Sequence, residues 1–111
     1  MRRAAEVDAN QGEIVSALRA VRASVRPTHR EGQGFPDVCV GYRDMNFLIE
    51  IKDVSKPPSA RKLTTDEQEW HDTWRGKTAV ATSVDEALAI IGVGPLDSQP
   101  VPLVGKAGVA Q

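Results

Sequence analysis

The chain has 111 residues, a net charge of −1, and 41% hydrophobic and 26% charged residues, a globular composition with room for one core. No apolar run approaches the roughly 18 residues of a membrane-spanning helix, and Met1-Arg2-Arg3 is not followed by the apolar stretch of a secretory signal. The single cysteine, Cys39, excludes an intramolecular disulfide framework and fits a reducing, cytoplasmic setting.

In chain order, residues 8–23 form an amphipathic helix. Ile14, Leu18 and Val21 recur at spacings of four and three, and Asp8 or Asn10 stands where a cap belongs. Residues 24–28 form a short strand that Pro27 confines to an edge or an end. Residues 29–35 hold two glycines and no periodicity, which reads as a loop. Asp37 to Val40 is a brief strand, residues 41–46 a turn, and Phe47 to Asp53 the next strand. In that strand Phe47, Ile49 and Ile51 face one way, and Leu48, Glu50 and Lys52 the other. Residues 54–62 are a polar loop with Pro57-Pro58. A second helix opens at Thr64 or Thr65 and runs to Arg75, with Gly76 past its end. Thr78 to Thr82 is a fourth strand. Ser83-Val84-Asp85-Glu86 reads as a capping box opening a last helix, which Gly92 stops. The order is that of a mixed α/β layer with helices covering a small sheet. The domain spans residues 1–91, and residues 92–111 form a Gly/Pro-containing tail.

Chemistry concentrates in the middle hairpin. Asp37 and Glu50 lie on neighbouring strands, roughly 5 Å apart, so their carboxylates converge. Lys52 projects from the same face as Glu50. Two carboxylates without a compensating cation suit Mg²⁺ or Mn²⁺, which take one or two carboxylates and keep several waters. A lysine beside such an ion can orient an attacking water and neutralise charge in the transition state. The basic residues favour this half: residues 1–62 hold 11 Lys and Arg against 8 Asp and Glu, and residues 63–111 hold 3 against 7. Arg30, Lys56, Arg61 and Lys62 flank the site from two loops, where phosphate contacts belong.

The run Pro36-Asp37, twelve residues, then Glu50-Ile51-Lys52 resembles the PD-(D/E)XK nuclease signature. Leu63-Thr64-Thr65-Asp66-Glu67-Gln68 resembles the opening of the second helix in the VRR-NUC branch. Residues 8–91 follow that branch's order throughout. The resemblance implies a restriction-endonuclease-like αβββαβ core and a Mg²⁺-dependent DNA endonuclease, with Mn²⁺ as substitute. By the same resemblance Asp37, Glu50 and the Ile51 carbonyl are metal ligands and Lys52 assists the nucleophile. Glu13 is an auxiliary ligand, and Gln68 orients the lysine. Small stand-alone members, often phage-borne, act as homodimers on branched DNA such as Holliday junctions. Two other readings share the fold: a nickase or repair nuclease on flaps or single strands, and a non-catalytic nucleic-acid- or protein-binding module.

Several of these residues also have plain structural readings. Glu13 and Gln68 both stand where a capping box wants them, after Asn10 and Thr65. His29, His71 and Cys39 show no metal-ligand spacing, and Cys39 reads as a buried small hydrophobe. Trp70 and Trp74 share a helix face and read as packing a core or a dimer face rather than stacking on bases.

Overall fold

The computed structural model describes residues 8–94. Four α-helices and four strands, with a 3-10 turn at His29–Glu31, follow in the order α1 (Gln11–Ala20), β1 (Ser24–Pro27), β2 (Val38–Tyr42), β3 (Met45–Ile51), α2 (Pro58–Arg61), α3 (Thr65–Thr73), β4 (Thr78–Ala81) and α4 (Val84–Ile90). The strands form one mixed sheet in the order β1-β2-β3-β4. The first two pairings are antiparallel and the third is parallel. This is the small helix-flanked α/β sheet that the sequence predicts. Among the described residues no helix is long and apolar enough to cross a membrane.

The alternation in β3 builds the two faces. Phe47, Ile49 and Ile51 point into a core completed by Val38 and Val40 of β2, Ala81 of β4, Ile14 and Leu18 of α1 and Ala87 of α4. All of these side chains but Phe47 are essentially inaccessible, and burial of each Val, Leu or Ile contributes about 1.5–3 kcal/mol. The stripe that α1 buries is Gln11, Ile14, Val15 and Leu18. The α3 helix lies across the opposite face: Thr78 of β4 meets His71 at 3.1 Å, and Lys52 meets Glu67.

Local chemistry sets the element ends. The β2–β3 turn is tighter than predicted, because Arg43 and Asp44 both take positive φ (52° and 68°), as a two-residue primed hairpin requires. Residues 41–42 and 45–46 therefore join the strands. Residues 29–31 and 58–61, read as loop from sequence, close into one-turn helices. The α3 helix ends at Thr73, so Gly76 is not its C′ residue. The α4 helix is capped by the Ser83 side chain, but Glu86 turns to Thr82 instead of completing the box. Asn10 stands at the N-cap of α1 without capping it. Its amide donates to the carbonyls of Lys52 (3.1 Å) and Thr82 (3.3 Å), tying α1 to the ends of β3 and β4.

Candidate active site

The site forms where β3 runs past the start of β2. Val38 pairs with Ile49, so the residue before β2, Asp37, comes level with Glu50. Asp37 anchors itself on β3 twice. Its backbone N–H donates to the Ile49 carbonyl at 3.1 Å, and its Oδ2 accepts from the Ile51 N–H at 2.7 Å. The carboxylate thus takes the place of a ladder partner at the strand's end. Thr28 fixes the approach from the other side: its N–H donates to the Asp37 carbonyl and its hydroxyl to the Pro36 carbonyl.

Asp37, Glu50, Ile51, Lys52, Lys56 and Glu67 line one cleft of about 480 Å³, with His29 and Phe35 at its wall. Glu50 is 3% exposed and Lys52 8%. A solvated strand face is therefore not what this hairpin presents; α3 and the 32–35 loop cover it. Lys52 Nζ sits 2.9 Å from Glu67 Oε1 and 3.6 Å from Glu50 Oε2. Lys56 Nζ pairs with Asp8 at the cleft's edge.

The electrostatics follow from crowding. Burial, then the charges of Asp37 and Glu67, push the Glu50 carboxyl up to about 9. Burial also raises Asp37, against the pull of the Ile51 N–H. Burial alone lowers a lysine, but the Glu67 carboxylate outweighs it and holds Lys52 above its ordinary range. Burial pulls Glu67 upward too, and the Thr64 N–H and Lys52 outweigh it, so Glu67 stays below the usual carboxylate range.

A divalent cation fits two of these carboxylates. Glu50 Oε1 is buried with no hydrogen-bond donor, an arrangement that costs free energy unless a cation or proton satisfies it. Glu67 is already engaged by Lys52 and by the Thr64 N–H. Among the described residues no three His, Cys, Asp or Glu side chains group as metal ligands; Asp37 and Glu50 are the two carboxylates that could hold an ion such as Mg²⁺, which accepts one or two. The Ile51 N–H points toward Asp37, and in a β ladder the carbonyl of the same residue points to that side as well.

Two expected site residues, Glu13 at the ion and Gln68 at the lysine, do not line the cleft. Glu13 is exposed on α1, because the stripe facing the sheet is Gln11, Ile14, Val15 and Leu18. Gln68 is exposed too: its Nε2 donates to Asp72 Oδ1 at 2.9 Å, and it lines a separate depression. The cause is a one-residue shift in the cap. Thr64, not Thr65, is the N-cap of α3, so N3 is Glu67. One residue is about 100° of helical rotation, enough to exchange the inward and outward positions. Glu67 was thus missed, although Thr64-x-x-Glu67 is itself a capping-box pattern.

Of the basic set, Lys56 lines the cleft. Arg30 and Lys62 are exposed on neighbouring turns and Arg61 is half-buried; none of these three lines the cleft. Cys39 is half-buried on the outer sheet face, not in the core. Trp70 and Trp74 are outside the core as well. They stack on each other at 4.6 Å and meet Phe35 edge-on at 5.3 and 6.3 Å. Gly34 explains how the 32–35 loop comes so close to α3: φ is +83°, and a Cβ there would lie 2.4 Å from the Asp66 carbonyl oxygen.

No family model matches this sequence, and no curated protein does. Among solved structures it is similar to a chain described as a VRR_NUC domain, at 21% identity and a TM-score of 0.55. The match covers 76% of this chain and 96% of that one. The chain therefore has the fold of a VRR_NUC domain, the branch that Leu63-Thr64-Thr65-Asp66-Glu67-Gln68 and the order of elements resemble.

Proposed function

We propose that this protein is a divalent-metal-dependent nuclease of the PD-(D/E)XK type that hydrolyses DNA phosphodiester bonds. The observation that carries the reading is Glu50: a buried carboxylate with an unpartnered oxygen, level with Asp37 and 3.6 Å from a buried lysine. The VRR_NUC fold supports it.

In this reading Asp37, Glu50 and the Ile51 carbonyl hold Mg²⁺, or Mn²⁺ in its place. When bound, such an ion polarises a phosphate oxygen and lowers the pKa of a coordinated water. The chain's own residues do the rest. Glu67 fixes the Lys52 ammonium over the cleft, so the lysine is already in place when substrate arrives. Lys52 orients the attacking water and neutralises charge that grows on the phosphate oxygens. No side chain is needed as a covalent nucleophile. Lys56 at the rim, with Arg30, Arg61 and Lys62 on the turns beside it, gives phosphate contacts that position a backbone without reading sequence.

One chain supplies one such set of residues. Symmetric cleavage of a branched substrate such as a Holliday junction requires a second copy, and a homodimer is part of the proposal. The test is nicking of supercoiled plasmid in Mg²⁺ by the wild type and by Lys52→Ala. The variant should lose roughly 10²–10³-fold in rate while Mn²⁺ still raises its melting temperature. Undiminished nicking by Lys52→Ala would refute the proposed role.

A further inference from the structure

The two tryptophans are not needed for the hydrolytic chemistry, yet they stand beside it. Trp70 and Trp74 stack with an interplanar angle of 18°. Phe35 bridges them to the cleft: it meets both indoles edge-on and also lines the cavity that holds Asp37 and Glu50. Trp74, stacked on Trp70, is 43% exposed, so part of its indole is open to solvent. Arg75 and Lys77 follow it, both exposed and neither ion-paired among the described residues. The acidic side chains Glu69 and Asp72 of α3 line a separate depression.

We propose that the Phe35–Trp70–Trp74 stack is a platform for an unpaired nucleotide base, so that the preferred substrate is DNA with a single-stranded segment next to the cut. This rests on the nuclease reading and narrows its substrate class. An exposed, rigid indole flanked by cations matches a base and its phosphate together: the ring takes the base face without regard to sequence, and the cations take the backbone. A second copy of this chain fits less well. The other exposed large apolar side chains, Met45, Val54 and Val80, are scattered over a hairpin tip, a loop and an edge strand, so Trp74 is not part of a broad apolar face of interface size.

The chain's two tryptophans are both in the stack, so tryptophan fluorescence, excited where Tyr42 does not absorb, reports on the platform alone. The experiment titrates full-length protein in EDTA with oligo-dT and with an abasic oligomer of equal length. Oligo-dT should quench the emission and bind about 5- to 150-fold tighter than the abasic strand, the range for one stacked base. Trp74→Ala should abolish that preference, and Trp74→Phe should keep part of it. Equal affinity for the two oligomers, or an unchanged preference in Trp74→Ala, would overturn the platform. If Trp74→Ala does not fold, the wild-type comparison and Trp74→Phe decide. Concentration-dependent dimerisation that blocks oligomer quenching would also overturn it, in favour of a subunit interface. Base preference without metal-dependent cleavage would leave the platform standing and remove the nuclease; cleavage without base preference would do the reverse.

Discussion

Glu50→Gln should stabilise the metal-free protein while destroying its capacity to hold metal. In the folded chain the Glu50 carboxyl is pushed up to about 9 from an ordinary 4.5, first by burial and then by Asp37 and Glu67. A group whose folded pKa is raised favours folding fully below its unfolded pKa, and that contribution is lost as pH rises through the folded value. The wild type should therefore lose stability steadily between about pH 4.5 and 9. Near pH 7.5, about three pH units above the unfolded value, the loss has a ceiling of roughly 4 kcal/mol at 1.36 kcal/mol per unit. Relaxation of the carboxylates and entry of water reduce this, so a gain of about 1–3 kcal/mol is expected for the uncharged, isosteric glutamine. For a domain of this size that raises Tm by roughly 5–20 °C. The assay is thermal unfolding in EDTA at a series of pH values. The two proteins should melt together near pH 4.5 and diverge as pH rises, and saturating Mn²⁺ should raise Tm only for the wild type. A variant that melts lower than the wild type near pH 8.5, or by a margin that does not change with pH, would show that an ionised Glu50 does not destabilise the metal-free fold.

Substitutions at two further positions probe the scaffold of the site. Gly34→Ala places a Cβ 2.4 Å from the Asp66 carbonyl oxygen at φ +83°, so it should cost about 2–4 kcal/mol in urea unfolding; a loss under about 0.5 kcal/mol would show that the loop is not clamped to α3. Glu67→Ala removes both the reciprocal cap with Thr64 and the partner of Lys52, so it should cost about 1–2 kcal/mol in stability and lower the rate of plasmid nicking. Glu67→Gln retains the cap geometry, and should recover most of the stability but not the rate; equal recovery of both would make Glu67 a cap alone.

Much of this was legible in the sequence because short-range pattern decides it. The alternation of Phe47, Ile49 and Ile51 against Leu48, Glu50 and Lys52 fixes which residues enter the core and which the cleft, and the short hairpin then brings Asp37 level with Glu50. The Ser83 cap and the stop at Gly92, with φ +98°, are local chemistry of the same kind. What escaped depends on tertiary context or on one residue of phase. Thr64 and Thr65 are equally good caps by composition, and the choice between them exchanges Glu67 for Gln68. Asn10 has the right side chain for a helix cap and spends it on the carbonyls of Lys52 and Thr82, which only the folded sheet brings near. Glu13 does not line the cleft because α1 presents Ile14, Val15 and Leu18 to the sheet, and helical geometry turns position 13 away. Trp70 and Trp74 read as packing residues because spacing shows that they share a face, not whether anything lies opposite.

Whether Asp37 and Glu50 hold a metal ion for DNA hydrolysis is decided by a cleavage assay. A labelled four-way junction, a flap and a plain duplex are incubated with Mg²⁺ or Mn²⁺, beside Asp37→Ala. Cuts should require the metal, vanish in the variant and favour the substrate with an unpaired segment. No cleavage of any substrate, or cleavage that Asp37→Ala retains, would contradict this role for Asp37 and Glu50.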